Sequence, residues 1–141
     1  MDDPHELQRF VDAQDGVWED VRAELADGRK RTHWMWFVFP QLAALGRSGM
    51  AKRYGLASRA EAAAYWAHPV LGPRLKECSE HVLAVPGGRT ALEVMGAPDD
   101  LKLRSCMTLF SEVAPEEPVF RRVLAKYYGG EADGRTLELL R

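Results

Sequence analysis

Long apolar runs are missing from this chain. None exceeds six residues, against the ~18 that a membrane-spanning helix needs. Cysteine is scarce too: Cys78 and Cys106 make neither a disulfide framework nor a metal-ligand spacing. With His5, His33, His68 and His81 scattered along the chain, no zinc pattern forms and no metal or other cofactor is expected. The opening stretch MDDPHELQRF is acidic and polar, unlike a secretory signal. Reduced, buried thiols in a cytoplasmic protein are the expectation. Alternating β-branched residues and Asn-Gly turns are also lacking, which argues against a sheet. Neither a Gly-x-x-x-x-Gly-Lys-Ser/Thr loop nor a dinucleotide fingerprint is present.

The most informative absence is acid. Residues 28–60 contain seven cations (Arg29, Lys30, Arg31, Arg47, Lys52, Arg53, Arg59) and no Asp or Glu, whereas residues 1–27 hold nine acids against two arginines. The net charge of −2 conceals this asymmetry and argues against general nucleic-acid coating. A local positive potential suited to a small anionic ligand remains.

What is present is helical punctuation. At 141 residues the chain fits one domain, 1–141, able to bury roughly two-thirds of its unfolded surface. Asp3, Pro4 and Glu6 spell an N-cap, a first helical position and a capping box, followed by Leu7, Phe10, Val11 and Gln14 on one face. Val17, Val21 and Leu25 form the next stripe. Thr32 is placed to cap the aromatic run WMWFVF, which Pro40 ends. Ser48 starts a short helix, Ser58 with Glu61 and Thr90 with Glu93 mark two further starts, and Pro69 opens a longer helix. Leu103, Cys106, Met107, Phe110 and Val113 fall at helical spacing after Asp99 and Asp100, and Asp100 stands i,i+4 to Arg104. Val119, Val123 and Tyr127 line a last long stripe. The expected fold is an all-α, compact single-domain bundle of about seven to nine short helices.

Chemistry concentrates in GRKRTHWMWFVFPQL, residues 28–42. Trp34, Trp36, Phe37 and Phe39 could each bury on the order of 150–250 Å², so a core role is expected for most of the run. An indole left at a cleft would stack on a ring beside Lys30 and Arg31, with Gln41 bonding a base or sugar hydroxyl. Lys102, in PDDLKLRSCMTLF, would join the phosphate-holding set, and His33 or Asp100 would serve as the acid–base group. Ser105 and Thr108 are expected to bond back to their own helix. Cys106 lacks the neighbouring base that a nucleophile needs.

With GRKRTHWMWFVFPQLAALGRS, HPVLGPRLKE and PDDLKLRSCMTLF together, the chain resembles the bacterial family called domain of unknown function 1810, from about Leu7 to Leu140. That resemblance implies an all-α single domain of the fold first described for a mycobacterial hypothetical protein, and implies no established activity. A looser resemblance runs to the NADAR proteins, which act on N-glycosidic linkages of ribose compounds. Its parallels are Trp34 to Gln41, Leu71-Gly72, and Asp100, Lys102, Met107 and Phe110. The functional expectation is a ligand-binding domain, enzymatic or not, for a phosphorylated ribose compound such as a nucleotide or ADP-ribose. A non-catalytic protein-interaction module is the alternative.

Overall fold

The computed structural model describes residues 2–141. Its regular structure among them is ten α-helices and one 3₁₀ turn, more pieces than the caps predict because several are only one or two turns long. The all-α expectation holds, and the β-pairing described is a single isolated bridge between Leu42 and Leu56. No helix is long and apolar enough to cross a membrane among the described residues.

The first helix, α1 (Gln8–Asp15), starts later than its cap signal predicts. Glu6 adopts a left-handed φ of 52°, which interrupts the helical path, so the predicted capping box does not form. Asp3 still caps from a distance. Its two carboxylate oxygens accept the Leu7 N–H at 2.8 Å and the Gln8 N–H at 3.0 Å. In α2 (Trp18–Ala26) the stripe with Val21 and Leu25 turns inward as spaced, and Glu24 turns inward with it.

The aromatic run gives only a single helical turn, α3 (Met35–Val38). Thr32 does not cap it, because its hydroxyl donates to Glu24 instead. The core expectation is met by Trp34, Phe37 and Phe39, all buried, with Phe37 packed 5.2 Å from the Tyr54 ring. After the 3₁₀ turn Ala43–Leu45, α4 (Gly49–Tyr54) and α5 (Arg59–Ala67) begin where Ser48 and Ser58 predict. Each hydroxyl accepts the N–H three residues on. Glu61 pairs with Arg9 at 2.9 Å through one carboxylate oxygen, and the other accepts the N–H of Ala57, one residue before the cap, at 2.9 Å.

The next helix, α6 (Leu71–Ala84), starts two residues after Pro69. His68 Nδ1 accepts the Val70 and Leu71 N–H groups, supplying the cap from a side chain the sequence pattern does not single out. Its other end is closed by a later helix. Lys126 donates to the Leu83 carbonyl at 2.7 Å and to that of Val85, and the Tyr127 hydroxyl donates to Val82. The Leu83 and Val85 carbonyls would otherwise be orphaned at a helix C-terminus, whereas that of Val82 also accepts the Val85 N–H. Lys126→Met should therefore lower stability by about 1–2 kcal/mol in urea denaturation, with the m-value unchanged.

The remaining helices are α7 (Ala91–Met95), α8 (Asp99–Val113), α9 (Val119–Tyr128) and α10 (Gly134–Leu139). Thr90 and Glu93 form the full capping box of α7. α8 is the spine: it packs on α5, α7, α9 and α10, with Leu103, Cys106, Met107 and Phe110 fully buried. Ser105 and Thr108 bond back to Leu101 and Arg104 carbonyls, as expected. The expected Asp100–Arg104 pair does not form. Arg104 instead reaches the carbonyls of Glu131 and Ala132, which bring acceptors to its guanidinium from beyond α9.

Candidate functional site

The loop of residues 29–34 and the start of α8 meet around a cleft of about 350 Å³. Glu24 anchors the loop that forms one side of it. This buried carboxylate accepts the backbone N–H groups of Arg31 (2.6 Å) and Thr32 (2.9 Å), the Thr32 hydroxyl (2.6 Å) and the Trp34 indole N–H (3.1 Å). Burial pushes its acidity constant upward, but the bonds it accepts, led by the Thr32 hydroxyl, outweigh burial and hold it below the usual glutamate range. The same loop is pinned from the other side by the Lys30 N–H, 2.8 Å from the Val94 carbonyl of α7. Between α7 and α8, Gly96 takes a φ of 78°, a turn that glycine makes without strain.

Lys30, Arg31, His33, Trp36 and Lys102 all line the cleft, so five of the eight sequence-predicted site residues come together. Met35, Met95, Ala97 and Pro98 supply its apolar wall, and Asp99 its one carboxylate. The three others lie elsewhere. Gln41 lines a crevice next door, shared with Met35, Trp36 and Lys102. Trp34 is fully buried behind the loop, its indole N–H held by Glu24. Asp100 points away from the cleft lining: its carbonyl accepts the Tyr128 hydroxyl, and its Oδ1 is buried without a hydrogen-bond partner. One residue of helical rotation separates Asp99 from Asp100, and that rotation puts Asp99 in the cleft.

Electrostatics divide these groups into wall and reader. Lys30 is wall. Its side chain is only 5% exposed, and its ammonium pairs with Asp99 at 2.9 Å, donates to the Thr32 carbonyl and sits 5.0 Å from the Trp34 ring centroid. An ammonium has three donors, so one is left. Lys102 approaches the same carboxylate only at 3.8 Å and lies 5.5 Å from the Trp36 ring centroid. The rings of His33 and Trp36 and the side-chain amide of Gln41 make no hydrogen bond to another described residue, although all are at least partly exposed. Arg31 is exposed and pairs with Asp27. Free donors thus gather on one face, next to a carboxylate already claimed by two cations.

No group of three or more metal-ligating side chains occurs among the described residues. Burial pushes both thiols up, and the neighbouring Cys78 further disfavours ionisation of Cys106, so neither serves as a nucleophile near neutrality. Glu24 is the loop-anchoring residue of the candidate site that sequence reasoning missed. Its signal was present: it stands three residues after Val21 on a stripe that is otherwise apolar, and an acid there needs donors.

Comparison with known proteins locates the chain. No curated protein matches it. The crystal structure of a conserved hypothetical protein, Rv1873 of Mycobacterium tuberculosis, is similar to it at 55% identity, with 98% of each chain covered and a TM-score of 0.96. The NADAR resemblance gains no support from these matches. The family model described as "Protein of unknown function (DUF1810)" matches residues 4–140. Over nearly its whole length, therefore, the chain belongs to that family of proteins of unknown function.

Proposed function

We propose that the cleft binds a small anionic molecule carrying a planar ring, of the phosphorylated ribose class that includes nucleotides and ADP-ribose. The observation that carries this reading is the convergence of free donors. His33, Trp36 and Lys102 face one hollow with Arg31 at its rim, while the neighbouring polar groups of Lys30, Trp34 and Asp99 are held by internal partners. The volume of about 350 Å³ falls within the range of about 300–1,000 Å³ found for small-molecule sites. Lys102, Arg31 and the remaining donor of Lys30 hold phosphate oxygens, Trp36 offers the ring its face, and His33 with Asp99 is the pair that any proton transfer at a bound sugar draws on. Buried, un-ionised thiols are in keeping with a cytoplasmic setting. The interaction-module alternative rests on two exposed leucines, Leu92 and Leu101, on adjacent helices, a narrower basis than the cleft.

The test is calorimetric titration with ADP-ribose, NAD and GMP. Wild-type protein should give saturable heat with at least one of them. His33→Ala should weaken that binding about tenfold with an unchanged melting temperature, since His33 is exposed and makes no internal hydrogen bond. Absence of heat with all three would remove this reading.

A further inference from the structure

The Trp36 face is the flat surface the cleft offers to a ring, and in this structure a cation already lies near it. Lys102 Nζ is 5.5 Å from the indole centroid, within the range of a cation–π contact. Its other attachment is weak, a 3.8 Å approach to an Asp99 carboxylate that Lys30 holds at 2.9 Å. The Lys102 side chain is 25% exposed, so it has room to move. Behind Trp36 and Lys102 lies a crevice closed down to about 10 Å³, with Phe39 and Tyr54 on its walls and the free amide of Gln41 on its lining. Met35, Trp36 and Lys102 line both hollows and so form the partition between them.

We propose that Lys102 is an anion-operated latch that decides which ligands reach the Trp36 face and the crevice leading to Gln41. A phosphate entering the cleft offers Lys102 a charge-assisted hydrogen bond stronger than its contacts with the ring and the shared carboxylate. The ammonium moves onto the phosphate and leaves the indole. The ligand's planar heterocycle then stacks where the ammonium was, and its donor–acceptor edge reaches Gln41. The two halves of such a ligand help one another. An uncharged nucleoside must displace the ammonium without compensation, and a sugar phosphate alone frees a face that it cannot use. Specificity for molecules that carry both groups follows from one lysine. This inference rests on the cleft being a ligand site.

Three probes separate it from that reading: AMP, adenosine and ribose 5-phosphate, titrated into wild-type, Lys102→Met and Lys102→Arg proteins. Wild-type protein should bind AMP more tightly than either fragment. Lys102→Met should weaken AMP about tenfold and tighten adenosine about threefold, effects of opposite sign. Lys102→Arg keeps a mobile cation and should retain the wild-type order. Equal weakening of AMP and adenosine, or adenosine binding that is unchanged or undetectable in Lys102→Met, would overturn the latch while AMP binding upheld the site. No binding of AMP or ribose 5-phosphate to a wild type that binds ADP-ribose, NAD or GMP would overturn the latch alone, and no binding of any of the five would overturn both.

Discussion

Replacing Gly72 by alanine should destabilise the protein by about 3 kcal/mol and lower its melting temperature by about 10 °C. The residue lies in the first turn of α6, immediately after the tight turn from α5. A Cβ built there would stand 2.1 Å from the carbonyl oxygen of Trp66. That obstacle is backbone, so it cannot move aside as a side-chain tip would. Either α6 shifts off α5, or the turn through His68 opens and releases the imidazole nitrogen that caps Val70 and Leu71. Both outcomes disturb Leu71 and Leu75, fully buried on the same helix. Gly87→Ala is the matched control. Its Cβ would meet nothing within 4 Å and its φ is not positive, so its effect should lie within ±0.5 kcal/mol. Thermal unfolding of the two variants side by side measures the difference. A Gly72→Ala protein as stable as the control would mean that the α5–α6 turn does not need the close approach.

The features legible in the sequence share one property: their partners are near in the chain. Ser48, Ser58 and Thr90 each bond an N–H three residues away, so spelling alone reveals them. The apolar stripe of α8 follows from helical period in the same way. The illegible features depend on partners across loops. Glu24 holds groups seven to ten residues on, through a segment with no period, and nothing in the spelling of residues 28–34 says which acid they meet. Trp34 and Trp36 differ by two positions, yet one is sealed in the core and the other lines the cleft. The run reads equally well with either indole outward. The anchoring of Trp34 by Glu24, with Lys30 over its ring and Phe39 beside it, sets the rotation. Asp99 and Asp100 pose the same problem at the start of α8. Each suits a first helical turn, and packing against Lys30 on one side and Tyr128 on the other separates their roles.

Glu24 is accordingly the position where one substitution should alter both stability and site. In Glu24→Ala the backbone N–H groups of Arg31 and Thr32 and the indole N–H of Trp34 lose their acceptor, and part-buried donors left unsatisfied should cost about 3–4 kcal/mol together. Glu24→Gln should behave differently. Oε1 takes three of the four bonds, and Oε2 takes only the Thr32 hydroxyl. An amide oxygen can keep the first three, while its NH₂ donates to the Thr32 hydroxyl, which turns round to accept. The loss is then the charge-assisted part, about 1 kcal/mol. The pH dependence follows from the sign of the shift. The folded acidity constant lies below the unfolded one, so the contribution of the charge is fully present above the unfolded value and disappears as pH falls through the folded value. Urea denaturation at neutral pH should rank wild type above Glu24→Gln and both well above Glu24→Ala. In acid, where wild-type Glu24 is itself protonated, the gap between wild type and Glu24→Gln should close. A gap independent of pH would show that shape rather than charge sets the strength of this anchor. Equal losses for Gln and Ala would show that the amide cannot take over the three Oε1 bonds, and that the loop framing Trp36 needs the carboxylate itself.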